Sequence, residues 1–589
     1  MNSPLQFYTQ EKKTFESELA VLKRKLINLS IIRLLVFLAT VYGAYFFNDS
    51  TKIMVPLLIV GTILFFFLVS IHTDFKHKKR KTEALIFINQ REINVLNGSI
   101  SELDSGDEFQ NPTHEFSYDV DLFGMGSFFQ FINRTTLLSG KKWLASTLSS
   151  NNIDSIEGKQ EAIKELSEIP KWRQNFSATG SLIQVNVNAE VIVKWLHKHK
   201  VFAPKIMRII PHVFSIISLS LIVLNYFNLI PLSITTLWFF IGIGITGVYL
   251  KKINPFYLNA NKAKETFRQY HQLLSLIETQ EFSSKLLKFK QEEIKTEAKK
   301  ASEVFLQFSK TLDAFDQRNN MIVGIFANGF ALRDLYHCYQ LEQWIETNKD
   351  KVETWFKVIA FFDAQNSLAN YSFNHPTYKF PTITKSENTL ETKNLGHPLI
   401  NSQKRVDNDL LIKNDEFFII TGANMAGKST FLRTVSLAII MGNNGLPICA
   451  DEVKYSPIQL ITSMRTSDSL TDDESYFFSE LKRLKYIIEK IKTEKYFIIL
   501  DEILKGTNST DKAIGSRKFV ERLVASKTTG IIATHDLSLC EISDELEEVK
   551  NYYFDAEIIN DELHFDYTFK KGICQNMNAS FLLKKMEII

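Results

Sequence analysis

Lys428 and Ser429 close the run Gly422-Ala423-Asn424-Met425-Ala426-Gly427-Lys428-Ser429, with Thr430 next in line. Every fixed position of the phosphate-loop spacing G-x-x-x-x-G-K-[ST] is filled. Gripping a polyphosphate requires successive backbone N–H groups to converge on the β- and γ-phosphates. Glycines permit that tight path, and a helix that follows adds partial positive charge at its N-terminus. Lys428 brings a cation and Ser429 a hydroxyl for Mg²⁺, so the chemistry expected is nucleotide binding, with ATP and Mg²⁺ as cofactors. Further along, Asp501-Glu502 and His535 each stand at the end of an apolar run. Asp501 is suited to hold Mg²⁺ through water, Glu502 to orient or deprotonate an attacking water, and His535 to sense the γ-phosphate.

These side chains need strands to deliver them. Phe417 to Ile420, Tyr496 to Leu500 and Gly530 to Ala533 are continuous apolar runs of the kind shown by parallel strands buried on both faces. Phe431 to Met441 reads as the helix after the phosphate loop. An α/β sheet with its chemistry at the strand ends is therefore expected.

The chain has 589 residues, enough for several domains, and its 45% hydrophobic and 23% charged content is that of a folded protein. A net charge of +3 selects no class of partner. Cys338, Cys449, Cys540 and Cys574 are scattered without a C-x-x-C pair, which suggests neither a zinc site nor a disulfide framework and fits a reducing compartment.

Part of the unusually high count of 47 Phe lies in four apolar runs, at 31–47, 53–71, 212–230 and 232–250. Each is about the length a helix needs to cross roughly 30 Å of hydrocarbon. Basic residues flank the outer ends: Lys23 to Lys25, the cluster Lys76 to Lys81, Lys200, Lys205 and Arg208, and Lys251-Lys252, while the short turns between paired runs carry almost none. This asymmetry predicts two transmembrane hairpins in a cytoplasmic (inner) membrane, multi-pass, with all soluble segments in the cytoplasm. The Lys76 to Lys81 cluster reads first as such a flank, then as a contact for anionic lipid or nucleic acid. No small-residue cleavage site follows the first run, which argues against a signal peptide.

The expected order is an N-terminal cytoplasmic helix (1–28), hairpin 1 (29–72), a first helical part (73–210), hairpin 2 (211–250), a second helical lever part (251–375) and the α/β domain (376–589). Residues 259–355 read as long, charged and helical. Leu138-Ser139-Gly140-Lys141 reads as a helix–helix turn.

Taken together, Tyr118 to Leu148, Phe361 to Ala369, Gly396-His397-Pro398, the phosphate loop with its internal Asn-Met, Asp501-Glu502 followed by Lys505 to Asp511, and Ala533-Thr534-His535 resemble the MutS family of DNA mismatch-repair ATPases. The family's loop reads GPNMGGKST, so Ala423 and Ala426 depart from it. The likeness implies an α/β P-loop ATPase domain (ABC/MutS-like) C-terminal to an all-α core and lever domain. It further implies a homodimer with composite sites, in which Ser475 reaches the partner's nucleotide and Asp511 lies in the loop coupling the two sites. DNA is the partner implied, and membrane lipid follows from the apolar runs. The Phe-x-Glu domain with which family members read mismatches has no counterpart in the first 110 residues. The rival classes are a transporter and a membrane scaffold without DNA; a transporter fits poorly, since no acidic residue lies in the runs and no LSGGQ-like element follows the phosphate loop.

Overall fold

Ser3 caps the first helix, α1 (Pro4–Phe46), by accepting from the backbone N–H of Gln6, whose side chain reaches back to complete a capping box. The computed structural model describes residues 3–183, 189–296, 299–423, 425–465, 476–559 and 562–575. A short turn leads from α1 into α2 (Thr51–Leu96), and the two helices lie side by side. Gly61 allows the approach, because a Cβ there would meet Thr40 Oγ1 at 2.2 Å. The expected boundaries at 28/29 and 72/73 fall inside these continuous helices; they mark changes of composition, which a helical backbone passes through without interruption.

The polar ends of α1 and α2 grip one long helix of the core. The helices that follow include α3 (Leu138–Leu148), α4 (Pro170–Ser181), α5 (Ile210–Tyr226), α6 (Leu232–Thr279), α7 (Ala301–Phe315), α8 (Met321–Ala331) and α9 (Arg333–Asn374). Tyr8 of α1 is buried, and its hydroxyl donates to Asn374 Oδ1 at 2.8 Å and lies 3.1 Å from Asn370 Oδ1. Glu92 of α2 accepts from Arg134 Nε at 2.6 Å and from the amides of Asn370 and Asn374. Burial alone would raise the Glu92 carboxyl, but Arg134 and Arg91 outweigh it and hold the group down at about 2. A carboxyl depressed in this way stabilises the fold above the ordinary carboxylate pKa of about 4.3, and the contribution is lost as pH falls through that value toward 2. Glu92→Gln should cost about 3–5 kcal/mol, because it leaves Arg134 and Arg91 without their counter-charge. Thermal unfolding in detergent micelles would check this, and the deficit should shrink as pH is lowered below 4.

Leu138 to Lys141 is the first turn of α3, which corrects the expected helix–helix turn. The reason is Asp363 of α9, whose carboxylate accepts from the backbone N–H groups of Thr136 and Leu137 at the helix start. Gly140 makes room for it, since a Cβ there would lie 2.1 Å from Asp363 Oδ2. The charged stretch expected over 259–355 is also interrupted: α8 holds no charged residue and is largely exposed.

The C-terminal part is built on a six-stranded sheet. Its strands are β1 (Phe417–Gly422), β2 (Gln459–Ser463), β3 (Tyr496–Asp501), β4 (Thr529–Ala533), β5 (Val549–Phe554) and β6 (Lys570–Lys571), in the spatial order β6-β5-β1-β4-β3-β2. All neighbours are parallel except β5 and β6. A smaller four-stranded sheet starts at Thr382. The change at 375/376 matches the end of α9, yet packing runs across it: Phe116, Leu122, Phe128 and Leu144 share one core with Ile420, Leu432 and Ile499. The edge strand β2 is covered by the upstream chain. Asn151 exchanges hydrogen bonds with the backbone of Leu460, and Asp119 accepts from Thr462, Met464 and Arg465.

Candidate functional site

β1 lies in the middle of the sheet with all six residues buried, so the loop that leaves it emerges between β4 and β5. Gly422 sits against β5, where a Cβ would meet the Phe554 carbonyl oxygen at 2.5 Å. Gly427, at φ +104°, turns the chain into α10 (Lys428–Asn443). Ala426 is buried and stays outside the left-handed region, so alanine replaces the family's glycine there without strain. Met425, at φ 68°, takes the left-handed turn instead. Asn424 lies outside the described residues.

Lys428, Ser429 and Thr430 open α10. The Lys428 ammonium donates to the carbonyls of Gly422 at 2.7 Å and Ala423 at 3.0 Å, which folds the side chain back over the loop. Burial lowers its pKa, the sign of a cation stripped of much of its water. Ser429 Oγ donates to Asp501 Oδ2 at 2.7 Å. Asp501 ends β3, two strands away from β1, so the pair joins residues 72 positions apart into two adjacent oxygen ligands. That donor set fits Mg²⁺, a hard cation that takes one or two protein oxygens and keeps the rest for water and phosphate.

Glu502 and His535 meet beside this pair. Glu502 Oε1 is 2.9 Å from His535 Nε2, and Nε2 is also 3.3 Å from Lys428 Nζ. The imidazole nitrogen cannot donate to one and accept from the other at once. The hydrogen bond with His535 holds the Glu502 carboxyl down at about 2, so Glu502 is an acceptor-only carboxylate and Nε2–H points at it. Glu502 also has a left-handed backbone, φ 50°, as does Leu504 at 61°. Such angles persist where the surroundings enforce them. Here the Glu502 N–H is tied to the Ala533 carbonyl, and Glu480 accepts from the N–H groups of Leu504 at 2.6 Å and Lys505 at 3.1 Å. Glu480 belongs to α11 (Tyr476–Lys490), which packs on this loop where Gly506 leaves no side chain in front of Phe477.

Lys428, Ser429, Thr430, Asp501, Glu502 and His535 thus line one cleft of ≈ 620 Å³, together with Ala423, Met425 and Gly427. Among the described residues that sequence reasoning did not assign to the site are Lys404, Arg405, Asn408, Lys505 and Tyr567, which also line it. Asn408 opens the strand Asn408–Lys413, Lys505 follows Glu502 in the Lys505 to Asp511 stretch of the family likeness, and Lys404, Arg405 and Tyr567 carry no motif; only the fold brings all five to the cleft. His397 lines the cleft as well, its imidazole pushed down to about 4 by burial, and the Gly396-His397-Pro398 triplet was the one signal for it. Asp511 does not line the cleft. It sits in the first turn of α12 (Ser509–Ala525), where its N–H and carboxylate close a cap with Asn508. Ser475 lies outside the described residues.

Comparison with known proteins places these residues in a family context. Residues 418–585 match the family model for MutS domain V. Over 212 residues, 34% of this chain and 22% of the relative, the sequence is 31% identical to MutS protein homolog 4 of Homo sapiens. It is 29% identical over 247 residues to DNA mismatch repair protein MutS of Caldicellulosiruptor saccharolyticus, covering 40% of this chain and 28% of that protein. The corresponding protein of Clostridioides difficile is 30% identical over 223 residues, 23% of its length. The chain therefore spans about a quarter of these curated relatives. The cleft built by β1, β3 and β4 lies within the matched stretch apart from its Leu395 to Asn408 wall, and residues 418–585 are a domain of the MutS family.

Proposed function

We propose that this protein is a membrane-anchored, MutS-like ATPase that hydrolyses ATP with Mg²⁺ and acts on DNA as a homodimer. The observation that carries the reading is the convergence of Lys428, Ser429, Asp501, Glu502 and His535, from three strand ends and a helix start, in one cleft of the domain V. Lys428 neutralises phosphate charge without having to shed much water first. Ser429 and Asp501 would hold Mg²⁺, which would supply further neutralisation of phosphate charge. Glu502, ionised and fixed by His535 and by the clamp from Glu480, orients water for in-line attack and accepts its proton. The apolar wall formed by Ile400, Val406 and Tyr567 suits the flat face of a base.

The dimer is proposed on family grounds, with Ser475 of each copy completing the other's site. Membrane anchorage is supported by composition: α1, α2 and α6 are long and apolar enough to cross a bilayer, while α5, at 17 residues, is shorter. With Lys76 to Lys81 and Lys251-Lys252 on the cytoplasmic side, domain V faces the cytoplasm of a multi-pass inner-membrane protein.

Duplex binding tests the proposal. Protein in detergent, titrated into labelled duplex DNA with and without ATP, is expected to bind matched and mismatched duplexes alike. The affinity should fall steeply with salt, with a log–log slope of about −0.9 per phosphate neutralised. A clear preference for the mismatch would mean that a base-reading element has been overlooked. Intact ATP turnover with no DNA affinity at any salt would replace the DNA reading with that of a nucleotide-controlled scaffold.

A further inference from the structure

Between α7 and α9 the chain runs through α8, with sequence MIVGIFANGFA and no charged side chain. Its inner side is fastened to α5 and α6. The rings of Phe326 and Phe330 pack on Phe239 with centroids 5.8 and 5.1 Å away. The Phe330 carbonyl accepts from Ser218 Oγ at 2.7 Å, and Ser218 in turn accepts from the Trp238 indole N–H at 2.9 Å. Gly242 and Gly329 bring the backbones of α6 and α8 together, since a Cβ on Gly242 would lie 2.4 Å from the Gly329 carbonyl oxygen. Small residues that let two backbones approach, with a hydroxyl bridging between helices, are how apolar helices pack where water is absent.

The outer side is bare. Met321 is 75% exposed and Ile322 66%, and Val323 and Ile325 are exposed as well. Ile216 and Leu219 of α5 and Leu237 and Phe240 of α6, the helices on which α8 packs, are exposed too. So many exposed apolar side chains on three neighbouring helices would be exceptional on a water-facing surface.

The chain segments that flank α8 meet at one level. Arg318, just before it, pairs with Asp334, just after it, at 3.1 Å. The same guanidinium donates to Asn254 of α6 at 2.8 Å and lies over the Tyr257 ring, directly beyond Lys251-Lys252. Eleven residues rise only about 16 Å, roughly half of a 30 Å hydrocarbon core. The helix is therefore too short to cross, and the chain before it and after it lies on one side.

We infer that Met321–Ala331 is a re-entrant element, immersed in the acyl chains of one leaflet of a phospholipid bilayer on the side marked by Lys251-Lys252. This rests on reading α5 and α6 as membrane segments. The occupant is lipid because the exposed apolar positions of α5, namely Val213, Ile216, Ile217, Leu219, Ile222 and Val223, are spread over more than half of the helix circumference. A second protein copy would cover one face and leave the rest wet, whereas fluid hydrocarbon covers all of them. Through Leu332, at φ 49°, α8 joins α9 directly, so the element ties the bilayer to the helix whose far end holds Glu92 and Asp363 in the core.

The test uses full-length protein reconstituted in phosphatidylcholine–phosphatidylglycerol vesicles, with an environment-sensitive fluorophore on Ile322→Cys, Ile325→Cys, Leu219→Cys or Asp350→Cys. The four native cysteines are buried, and labelled parent protein gives their background. Phosphatidylcholine bearing a doxyl spin label near its headgroup should quench positions 322 and 325 as fully as 219, and leave 350 unquenched. Quenching at 219 but not at 322 or 325 overturns the inference and leaves the membrane reading of α5 standing. Absence of quenching at 219 as well would remove that reading and the inference with it. Disulfide cross-linking between two Ile322→Cys copies, without quenching by lipid, would assign the face to a second copy and also overturn it.

Discussion

Lys428→Ala is expected to abolish ATP binding and turnover together. The ammonium is held over the phosphate loop by the carbonyls of Gly422 and Ala423, and burial has already removed part of its hydration. Bound phosphate therefore gains an almost fully available cation, and nothing else in the described loop supplies one. Removing a preorganised electrostatic contact of this kind lowers kcat by about 10²–10³-fold, and here the ground-state affinity for nucleotide should fall as well. Phosphate release and binding of a fluorescent ATP analogue measure the two effects separately. Unchanged analogue affinity in the variant would show that the loop grips phosphate through its backbone alone.

Glu502→Gln should separate the two functions that Lys428→Ala removes together. Glutamine keeps the shape of the side chain and can still meet His535, but it cannot take a proton from water. Turnover should drop by about 10²–10⁴-fold, the range for general-base catalysis, while ATP binding persists. Because His535 holds the carboxyl at about 2, wild-type Glu502 is ionised throughout the neutral range, and a fall in rate between pH 7 and pH 5 would have to come from another group. Full hydrolysis by the Glu502 variant would take it out of the role proposed. Slow release of product could hide a moderate change, so single-turnover measurements are the decisive form of the experiment.

Both variants act within a site whose parts were legible to different degrees. Lys428, Ser429, Asp501, Glu502 and His535 stand at the ends of uniformly apolar runs, and a central parallel strand has few other sequences available to it. Their arrival in one cleft follows from sheet order, since β4 lies between β1 and β3. Glu480 illustrates the reverse. It is a buried carboxylate whose only described hydrogen bonds are with the N–H groups of Leu504 and Lys505, and no periodicity would reveal that it fixes the backbone next to Glu502. The same is true of Asp363, which caps α3 from a position more than two hundred residues further along the chain.

In the helical part, composition and backbone divide the chain at different places. The four apolar runs were evident, yet their proposed boundaries at 28/29, 72/73 and 250/251 fall within α1, α2 and α6, because backbone hydrogen bonding continues across a change from apolar to charged side chains. Met321–Ala331 escaped notice in a window dominated by Lys and Glu, being too short to resemble a span.

The sequence by itself determined which residues stand at the strand ends: a phosphate-loop spacing, an Asp-Glu pair and a histidine, because local spacing and strand patterning are one-dimensional properties. The tertiary structure alone decided which distant groups serve them. Pairings such as Glu480 with the Glu502 loop, Glu92 with Arg134, and α8 with Gly242 depend on distances between segments tens to hundreds of residues apart, set by packing of the whole chain rather than by any local pattern.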